Sequence, residues 1–447
     1  MSEPAEPIVP QRACLVLPST GEFDSRTYRI ASSLHARGHD VTVLTRLGPG
    51  LPRQERHPAG YRIVRVPVSA VDGLPLPGWA RETIERVHAR RRKAASVATS
   101  SAATASPSVA SSVPGRGGRL IGGAVRIAAI VLTVRSQRRA ALAVAPAADV
   151  VHGMAYMGIP VALGLGRATG AKVVYDARDI YLEAANLARL PRPARALLAR
   201  VECGWARRAD RVVTVNRPYA EVLAERFGVA LPAIVLNCSY RYAPPDPPGR
   251  RFHERLGLDA ATRIVLYQGG FSRDRGIEQL VEAIRFVPAA TLVLMGYGVL
   301  QADLEARAAD PATDERIRVL PAVAPTELLD WVASADVVAM PIQPSTLNHR
   351  LTTPNKLFEA MAAGVPVVAS DLPGMAGIVR ETGCGLLVDP TDPAAIAAAL
   401  REILDAPEPE RHARRERTLA AARETYTWER QMDVLLEEYT KLTGRRW

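Results

Sequence analysis

The chain has 447 residues, enough for two or three domains, and its 48% hydrophobic content excludes a wholly disordered protein. A formal net charge of +11 at pH 7 favours anionic partners, which include nucleotide sugars, acidic lipid surfaces and nucleic acid. Nucleic acid is the weakest of these, because aromatic residues make up only 5% of the chain and do not interleave with basic residues.

The four cysteines lie far apart in the sequence and form no CxxC or His/Cys cluster. This argues against a zinc site and favours a reducing compartment. The opening residues, MSEPAEPIVPQR, contain no apolar signal core. The longest apolar run, residues 120–134, is interrupted by Arg126 and is short for a membrane span. Together these features predict a cytoplasmic protein.

The first block of the chain opens with a predicted strand at residues 13–17, a polar turn at 19–26 and a helix at 27–37 that Gly38 ends. A second strand follows at 41–45, and this strand–helix–strand unit predicts a parallel sheet. Further strands are predicted at residues 62–66, 149–152, 172–176, 211–216 and 234–237.

An unusual segment interrupts this first block. A basic run at residues 90–93 leads into residues 94–118, which are rich in Ala, Ser and Gly, and the pattern predicts a flexible inserted linker at about 90–118. Residues 119–144 then look helical, with Arg119, Arg126 and Thr133 repeating every seven residues as a narrow polar stripe. Burial against the sheet and contact with a membrane surface are the two interpretations of this helix.

The segment 243–249, APPDPPG, is a stiff proline-rich linker and a predicted domain boundary. The second block has predicted strands at residues 263–268, 291–295, 316–320, 336–340, 365–369 and 386–388. Its predicted helices lie near residues 277–286, 299–308, 325–334, 354–362, 393–404 and 428–442. The alternation predicts an α/β protein of two doubly wound, Rossmann-like domains facing across a cleft, with ligands at the carboxyl ends of strands.

The loop GGFSRDRG follows the first strand of the second block. Gly269 and Gly270 allow the backbone to approach a ligand closely. Arg273 and Arg275 precede a helix that starts at residue 277, where guanidinium groups suit a diphosphate. The alternative is a solvated turn in which Asp274 pairs with an arginine.

The stretch TTPNKLFEAMAAGVPVV, residues 352–368, predicts a helix with Thr353 as N-cap and Pro354 at its first position, ended by Gly364. Asn355, Lys356 and Glu359 then fall in the first two turns. A lysine there opposes the helix dipole unless an anion lies nearby. A phosphate at the helix end, with a carboxylate one turn deeper for sugar hydroxyls, describes a nucleotide-sugar site.

Gly296 opens a GYG turn after another strand, but the later spacing does not match a dinucleotide fingerprint. The chain also contains no Walker A sequence and no DxD sequence. The pattern therefore predicts no metal and no cofactor, with arginines supplying the positive charge.

Several polar residues of the first block also end strands. Gly21 and Arg26 lie in the first strand-to-helix loop, and His152 ends a strand in DVVHG. We expect His152 to face the cleft, although a histidine at a strand end is often structural. Asp176 and Arg178 end the next strand, where the alternative to ligand binding is an Asp–Arg ion pair that supports the loop.

With these loops in view, the chain resembles the family-4, retaining nucleotide-sugar glycosyltransferases with the GT-B fold. The resemblance spans nearly the whole chain apart from the insert. It rests on GEFDSRTYRIASSLHARGHDVTVLT, DVVHG, KVVYDARD, ADRVVTVN, LYQGGFSRDRGIEQLVEAI, ADVVAMP and NKLFEAMAAGVPVVASDLPG.

The resemblance implies an acceptor-binding domain at residues 1–242, completed by the helix at 428–447, and a donor-binding domain at 249–427. Glu359 would hold the ribose, Arg275 would contact the diphosphate, and His152 would lie near the donor sugar. Donor-binding roles are expected for Gly21, Gly269, Gly270, Arg273, Gly296, Asn355 and Lys356. Acceptor-side roles are expected for Arg26, Asp176 and Arg178.

Two positions depart from the family pattern. Leu351 stands where the family usually has an acidic residue, and Gly270 stands where it usually has an arginine. Arg273 is the expected substitute for that arginine, and Asn355 or Lys356 would take over contacts near the phosphates.

The predicted reaction is therefore transfer of a sugar from a nucleoside diphosphate sugar to a hydroxyl of a glycan, lipid-linked or small-molecule acceptor, with retention of anomeric configuration. One alternative is a nucleotide-sugar 2-epimerase with the same fold. Another is a non-catalytic relative that binds glycans or membranes. A cytoplasmic protein at the inner membrane surface fits the basic charge, and no nucleic-acid partner is expected.

Overall fold

The computed structural model describes residues 9–22, 24–69, 116–188, 190–311 and 316–447. Most of the predicted linker at 90–118 lies outside these residues. Contacts divide the chain into two units. One holds the described residues up to Val235 together with Met432–Trp447, and the other holds Leu236–Gln431.

The first unit is built on an eight-stranded sheet. Its strands are β1 (Arg12–Val16), β2 (Asp40–Arg46), β3 (Gln54–Arg56), β4 (Arg62–Val66), β5 (Val150–Met154), β6 (Lys172–Ala177), β7 (Arg211–Thr214) and β8 (Ala233–Ile234). Its helices are α1 (Ser25–Ala36), α2 (Arg116–Val144), α3 (Ala155–Thr169), α4 (Ala185–Ala188), α5 (Arg192–Ala206) and α6 (Arg217–Phe227), with a 3₁₀ turn at Tyr181–Glu183.

The strand order is β3-β4-β2-β1-β5-β6-β7-β8, and every pair is parallel except β3 with β4. The chain moves outward from β1 in one direction and from β5 in the other. The switch point of the sheet therefore lies between β1 and β5. Strand β3 was not predicted, because QER carries no apolar alternation.

The second unit has a six-stranded parallel sheet in the order β11-β10-β9-β12-β13-β14. Its strands are β9 (Arg263–Gly270), β10 (Ala290–Tyr297), β11 (Ile317–Pro321), β12 (Val337–Met340), β13 (Val367–Ser370) and β14 (Gly385–Val388). Its helices are α7 (Arg251–Leu256), α8 (Ile277–Ala283), α9 (Gln301–Ala308), α10 (Leu328–Val332), α11 (Leu347–Leu351), α12 (Asn355–Ala363), α13 (Pro373–Thr382), α14 (Pro393–Leu404) and α15 (Glu408–Glu424), with a 3₁₀ turn at Ile284–Phe286. A last helix, α16 (Trp428–Thr443), begins in this unit and continues in the first.

Both faces of the second sheet are buried, as an all-parallel sheet requires. On β9, Ile264 and Leu266 enter one apolar core, while Val265 and Tyr267 enter another on the opposite face. This alternation follows from the two-residue period of a strand.

The division between the units falls between Val235 and Leu236, before the proline-rich segment at which the domain ends 242 and 249 were predicted. Residues 236–249 are held within the second unit by hydrogen bonds. Trp428 N donates to Ser239 O at 2.8 Å, and the Tyr242 hydroxyl donates to Asp330 Oδ1 at 2.5 Å. A stiff, proline-rich segment can therefore pack within a domain rather than form a linker between two domains.

The four cysteines are free thiols. Among the helices that the structure describes, none combines the length and apolar character needed to cross a bilayer.

Candidate nucleotide-sugar site in the second unit

Three predicted glycines meet at the carboxyl edge of β9 and β10. Gly269 and Gly270 end β9, and in the register of the sheet Gly296 lies beside Gly269. A Cβ atom on Gly296 would lie 1.9 Å from the carbonyl oxygen of Gly269, so no other residue fits there. Gly269 has a φ of 120°, which L side chains rarely adopt. The edge of the sheet is therefore bare backbone.

Helix α12 places a lysine against this edge. Lys356 Nζ lies 3.5 Å from the centroid of the Tyr267 ring, a cation–π contact. The same Nζ is 3.8 Å from the position that a Cβ on Gly269 would take. Burial and the nearby charge of Arg275 hold the pKa of Lys356 well below its usual range, and Glu359 opposes this only in part. The amine therefore lies at the strand end, and no nearby carboxylate fully offsets the cost of burying its charge.

Arg275 is the second cation of this cluster. Its charge also lowers the pKa of His349, after the larger effect of burial. No carboxylate of the described residues lies within 4.0 Å of the charged nitrogens of Arg275 or Lys356. Two neighbouring cations without such a partner make an anion site.

The loop that carries Arg275 is sharply constrained. Gly276 has a φ of 75° and immediately precedes α8, and a Cβ there would lie 1.8 Å from the Pro341 carbonyl oxygen. Asp274 is a non-glycine residue with a φ of 65°. Such strain is typical of loops whose conformation serves a ligand.

Glu359 lies one turn deeper on α12, as predicted. Gln268 Nε2 donates to its Oε2 at 3.4 Å, and Gln268 itself is buried. At the start of the helix, Asn355 Oδ1 accepts from Asn237 Nδ2 at 2.6 Å. Lys356, Glu359 and Asn355 therefore occupy one end of α12, beside the strand end.

The start of α12 differs from the prediction by one residue. Asn355 is the first helical residue and Pro354 is the N-cap, with an extended ψ of 146°. The predicted cap, Thr353, instead donates its hydroxyl to Gly374 O at 2.6 Å. The amide groups of the first turn therefore receive no side-chain cap from the residue before the helix.

Arg273 lies on the exposed side of its loop and does not join the Lys356 cluster. It lines a separate surface pocket of about 430 Å³. The other lining residues are Asp274, Glu278, Gln279, Gln343, Pro344 and Ser345. This geometry gives no support to Arg273 as the substitute for the missing arginine at position 270.

His152 is buried within the first unit, and its expected place near the donor sugar stays a prediction. It is 0% exposed, with Nδ1 2.5 Å from the Tyr439 hydroxyl and Nε2 3.3 Å from Asp176 Oδ2. Burial holds the pKa of His152 below its usual range, although Asp176 opposes the effect. Every residue of β5 is buried, so a side chain on either face of this central strand lies in the core.

Arg26 and Asp176 are likewise engaged with each other rather than with an acceptor. Arg26 Nε donates to Asp176 Oδ2 at 2.7 Å, and Arg26 Nη1 donates to Val235 O at 2.8 Å. Burial alone would raise the pKa of Asp176, but the charges of Arg26 and His152 hold it far below its usual range. The pair is almost fully buried, and the acceptor-side role expected for Arg26 and Asp176 stays a prediction.

Arg178 forms the ion pair that was the alternative to acceptor binding. Its Nη1 lies 2.8 Å from both carboxylate oxygens of Asp24, which caps α1 by accepting from Thr27 N. The pair ties the loop after β6 to the loop after β1. Gly21, in that second loop, has a φ of 86°.

Tyr267, Gln268 and Asn237 contact the predicted site residues and were not predicted from the sequence. The first two precede the glycine pair of LYQGG, so a polar strand end before glycines was the signal available. Asn237 gave no signal, because only the folded chain places it beside Asn355.

Two family models match this chain. The model described as "Glycosyl transferase 4-like domain" matches residues 23–238, and the model described as "Glycosyl transferases group 1" matches residues 262–406. The chain belongs to the group 1 glycosyltransferases. The predicted family resemblance is thereby confirmed.

Curated relatives of this group 1 glycosyltransferase include D-inositol 3-phosphate glycosyltransferases. The protein of Xylanimonas cellulosilytica is 31% identical over 251 residues, which cover 53% of this chain and 58% of the relative. That of Geodermatophilus obscurus is 30% identical over 255 residues, covering 52% of each. The chain thus matches only about half the length of these relatives.

Solved structures confirm the predicted GT-B fold. Sucrose-phosphate synthase of Thermosynechococcus elongatus has a TM-score of 0.70 at 20% identity, covering 97% of this chain and 99% of that one. HepE of Anabaena, in complex with UDP, has a TM-score of 0.60 at 16% identity, covering 97% of this chain and 100% of that one. At these identities the likeness speaks for the fold alone.

Proposed function

We propose that this group 1 glycosyltransferase moves a sugar from a nucleoside diphosphate sugar to an acceptor hydroxyl, with retention of anomeric configuration. The observation that carries the proposal is a pair of basic side chains, Arg275 and Lys356, which form no salt bridge with a described carboxylate. Lys356 lies at the glycine-lined strand end, on the helix that also carries Glu359. Retention rests on the family-4 resemblance.

The barrier to glycosyl transfer is separation of charge between an oxocarbenium-like sugar and a departing diphosphate. Interactions that strengthen as the diphosphate leaves lower this barrier. Arg275 and Lys356 are placed for that task, and the uncapped amides at the start of α12 add further donors. In this proposal side chains supply the positive charge and no metal or other cofactor takes part.

Glu359 would accept hydrogen bonds from the ribose hydroxyls, while the amide of Gln268 holds one carboxylate oxygen. The ammonium group of Lys356 packs against the face of the Tyr267 ring, so an aromatic ring rather than a described carboxylate positions it. HepE of Anabaena, which shares the fold, was solved in complex with UDP, so uridine nucleotides are the first to test as donors.

A donor screen tests this proposal. The full chain is incubated with a panel of nucleotide sugars, with and without glycan, polyol and lipid-linked acceptors. Released nucleoside diphosphate is measured, and the anomer of the product is read by NMR. We expect release of nucleoside diphosphate that acceptor accelerates, and a product with the donor's configuration.

The same screen separates the rival functions. An altered sugar formed from donor alone, without acceptor, would identify a 2-epimerase. Failure to bind any nucleotide in calorimetry would identify a non-catalytic relative. An inverted product would overturn retention alone.

We also propose a cytoplasmic protein in peripheral contact with the inner membrane surface. The observation that favours it is a set of exposed arginine and apolar side chains on α2 and α5, two helices that both pack on α3. On α2, Val131 is 46% exposed and shares a stripe with the exposed Arg135 and Arg138. On α5, Leu197 is 54% exposed.

Apolar and arginine side chains on one face suit an anionic lipid surface. Flotation with vesicles, with and without acidic phospholipid, tests the contact. We expect binding only to acidic vesicles, lost on charge reversal of Arg135 and Arg138 but kept in Arg285→Glu, a change at an exposed arginine of the second unit. Equal flotation of both variants would refute it.

A further inference from the structure

A small cavity in the first unit brings together arginines from three helices. It has a volume of about 90 Å³ and lies between α2, α3 and α5, each of which packs on the other two. Arg138 reaches the cavity from α2, Arg167 from α3, and Arg208 from the residues just after α5. The rest of its wall consists of Pro160, Leu163, Gly164 and Trp205. The cavity shares no residue with the proposed diphosphate site, which lies in the second unit.

No carboxylate of the described residues neutralises these arginines. Arg138 and Arg167 make neither a hydrogen bond nor an ion pair with any residue that the structure describes, and Arg208 donates only to Gly204 O, at 2.8 Å. The three helices contain a single acidic residue, Glu202, which is buried and bonded to a tyrosine hydroxyl. The guanidinium groups around the cavity therefore keep donors for a ligand.

A glycine allows Arg138 to lie against the backbone of α3. A Cβ atom on Gly164 would lie 2.6 Å from Arg138 Nε and 3.1 Å from its Cδ. The arginine side chain therefore crosses α3 at the one position where no Cβ blocks it. Glycine inside a helix is less stable than alanine. The packing of Arg138 gives a reason for a glycine at this position.

Helix ends explain only part of this arrangement. Arg167 lies in the last turn of α3, and Arg208 lies two residues beyond the end of α5. The partial negative charge at a helix C-terminus favours a nearby cation. This effect does not account for Arg138, which lies inside α2. An anion in the cavity would interact with all three guanidinium groups.

Apolar side chains beside the cavity indicate what kind of anion would fit. Trp205 is half-buried, and its indole N–H makes no hydrogen bond to the described part of the chain. Leu197, 54% exposed, lies two turns before Trp205 on the same face of α5, and Val131, 46% exposed, lies two turns before Arg138 on α2. An indole with a free N–H suits the boundary between lipid headgroups and acyl chains. Cations beside exposed apolar side chains suit a phospholipid better than a free phosphate ion.

We propose that this cavity binds the phosphodiester headgroup of an anionic phospholipid. Arg138, Arg167 and Arg208 would surround the phosphate, and Trp205 would lie at the level of the first acyl carbons. Guanidinium groups offer planar pairs of donors that match phosphate oxygens. The inference rests on the proposed peripheral membrane contact, for which it names the lipid class and the site.

The test measures partition of the full chain onto vesicles of phosphatidylglycerol and of phosphatidylcholine. It compares the double variant Arg167→Gln, Arg208→Gln with the matched control Arg139→Gln, Arg200→Gln. The control removes the same charge from exposed arginines of α2 and α5 that do not line the cavity. Both variants should lose general attraction to an anionic surface. The cavity variant should lose about tenfold more affinity for phosphatidylglycerol, because it also loses direct phosphate contacts.

A second variant tests the cavity without changing any charge. Gly164→Ala puts a methyl group where Arg138 lies, so this arginine must leave the cavity while alanine favours the helix. Its affinity for phosphatidylglycerol should fall about three- to tenfold. Gly377→Ala is the control, since this helical glycine of the second unit has no described atom within 4 Å of the Cβ position. Thermal unfolding shows whether each variant is folded.

Quenching by brominated phospholipid tests the position of Trp205. The tryptophan fluorescence of the parent should be quenched on vesicles, and Trp205→Phe should lose most of that quenching. Trp331→Phe, a change in the second unit, should keep it. Equal quenching in both variants would contradict the placement of Trp205 at the lipid boundary.

The outcomes separate the headgroup site from the general membrane contact. Equal losses in the two double variants, or an unchanged affinity in Gly164→Ala, would overturn the site and leave the peripheral contact standing. A parent protein that binds no phosphatidylglycerol vesicle would overturn both. Calorimetry with inorganic phosphate should detect no binding at millimolar concentration. Phosphate binding that the cavity variant abolishes would overturn the assignment to lipid and identify a site for a soluble anion.

Discussion

The chemistry proposed for the second unit depends on how single side chains are held. Lys356 is the clearest case, because its amine lies on an aromatic ring and near another cation. A lowered pKa means that the charged form is disfavoured in the free protein. A diphosphate would restore that charge on binding.

This predicts that binding of a nucleoside diphosphate to Lys356 takes up a proton. The affinity should be highest at low pH and should fall as the pH rises through the lowered pKa of the amine. The window lies above the second phosphate pKa of about 6, below which the phosphate itself loses charge. Calorimetry in two buffers of different ionisation enthalpy at the same pH measures the uptake.

In Lys356→Met the proton uptake should disappear, while Lys441→Met, a change in an exposed surface pair, should keep it. Uptake that persists in Lys356→Met would assign the proton to another group. The account of Lys356 would then be wrong.

Glu359 carries the second prediction at this scale. Glu359→Ala removes the acceptor of the ribose hydroxyls, worth about 1.5–3 kcal/mol, or roughly 10- to 150-fold in kcat/KM for the donor. Glu282→Ala, on the exposed side of α8, is the control. Steady-state donor turnover at the parental rate in Glu359→Ala would remove Glu359 from the site.

The sequence predicted Lys356 and Glu359 because their spacing on one helix fixes their relation before any tertiary contact forms. It did not reveal that His152 and Arg26 are buried, since a strand end or loop does not show whether a neighbouring strand covers the side chain.

Loops and helix ends decide the site at the scale of elements. The β9–α8 loop requires glycine at position 276, where a positive φ and the Pro341 carbonyl leave no room for a Cβ. At Gly270, by contrast, no atom of the described residues lies within 4 Å of the position that a Cβ would take. The two glycines of one loop therefore differ in what they tolerate.

Gly276→Ala should destabilise the second unit by about 2 kcal/mol or more, because backbone strain adds to the steric clash. Gly270→Ala should leave the free energy of unfolding within about 0.5 kcal/mol of the parent. Urea unfolding followed by circular dichroism measures both. A Gly276→Ala protein as stable as Gly270→Ala would show that the loop can rearrange.

Element boundaries show where sequence patterns stop being informative. Strand β4 was predicted at its observed residues, because alternation and turn residues define it locally. The start of α12 was missed by one residue, since Thr353 uses its hydroxyl on a carbonyl from α13 rather than on its own helix. Tertiary hydrogen bonds of this kind have no local signature.

At the scale of the molecule, a largely parallel sheet and an all-parallel sheet each end in an edge of carboxyl strand ends, where ligands of such sheets bind. The second unit offers Arg275, Lys356 and a carboxylate, which suit the donor. The sequence predicted two doubly wound units. The position of the division between them depends on which unit the proline-rich segment packs with, and the sequence pattern does not show this.

Binding of a diphosphate by Arg275 and Lys356 is central to the proposed function. Its most direct test is equilibrium binding of UDP and of uridine, by calorimetry, to the parent protein and to the Arg275→Ala, Lys356→Ala double variant. Two charge-assisted contacts should give the parent a preference for UDP of at least about a hundredfold. The double variant should lose that preference and retain its fold in thermal unfolding. UDP binding of equal strength in the parent and the double variant would contradict the account.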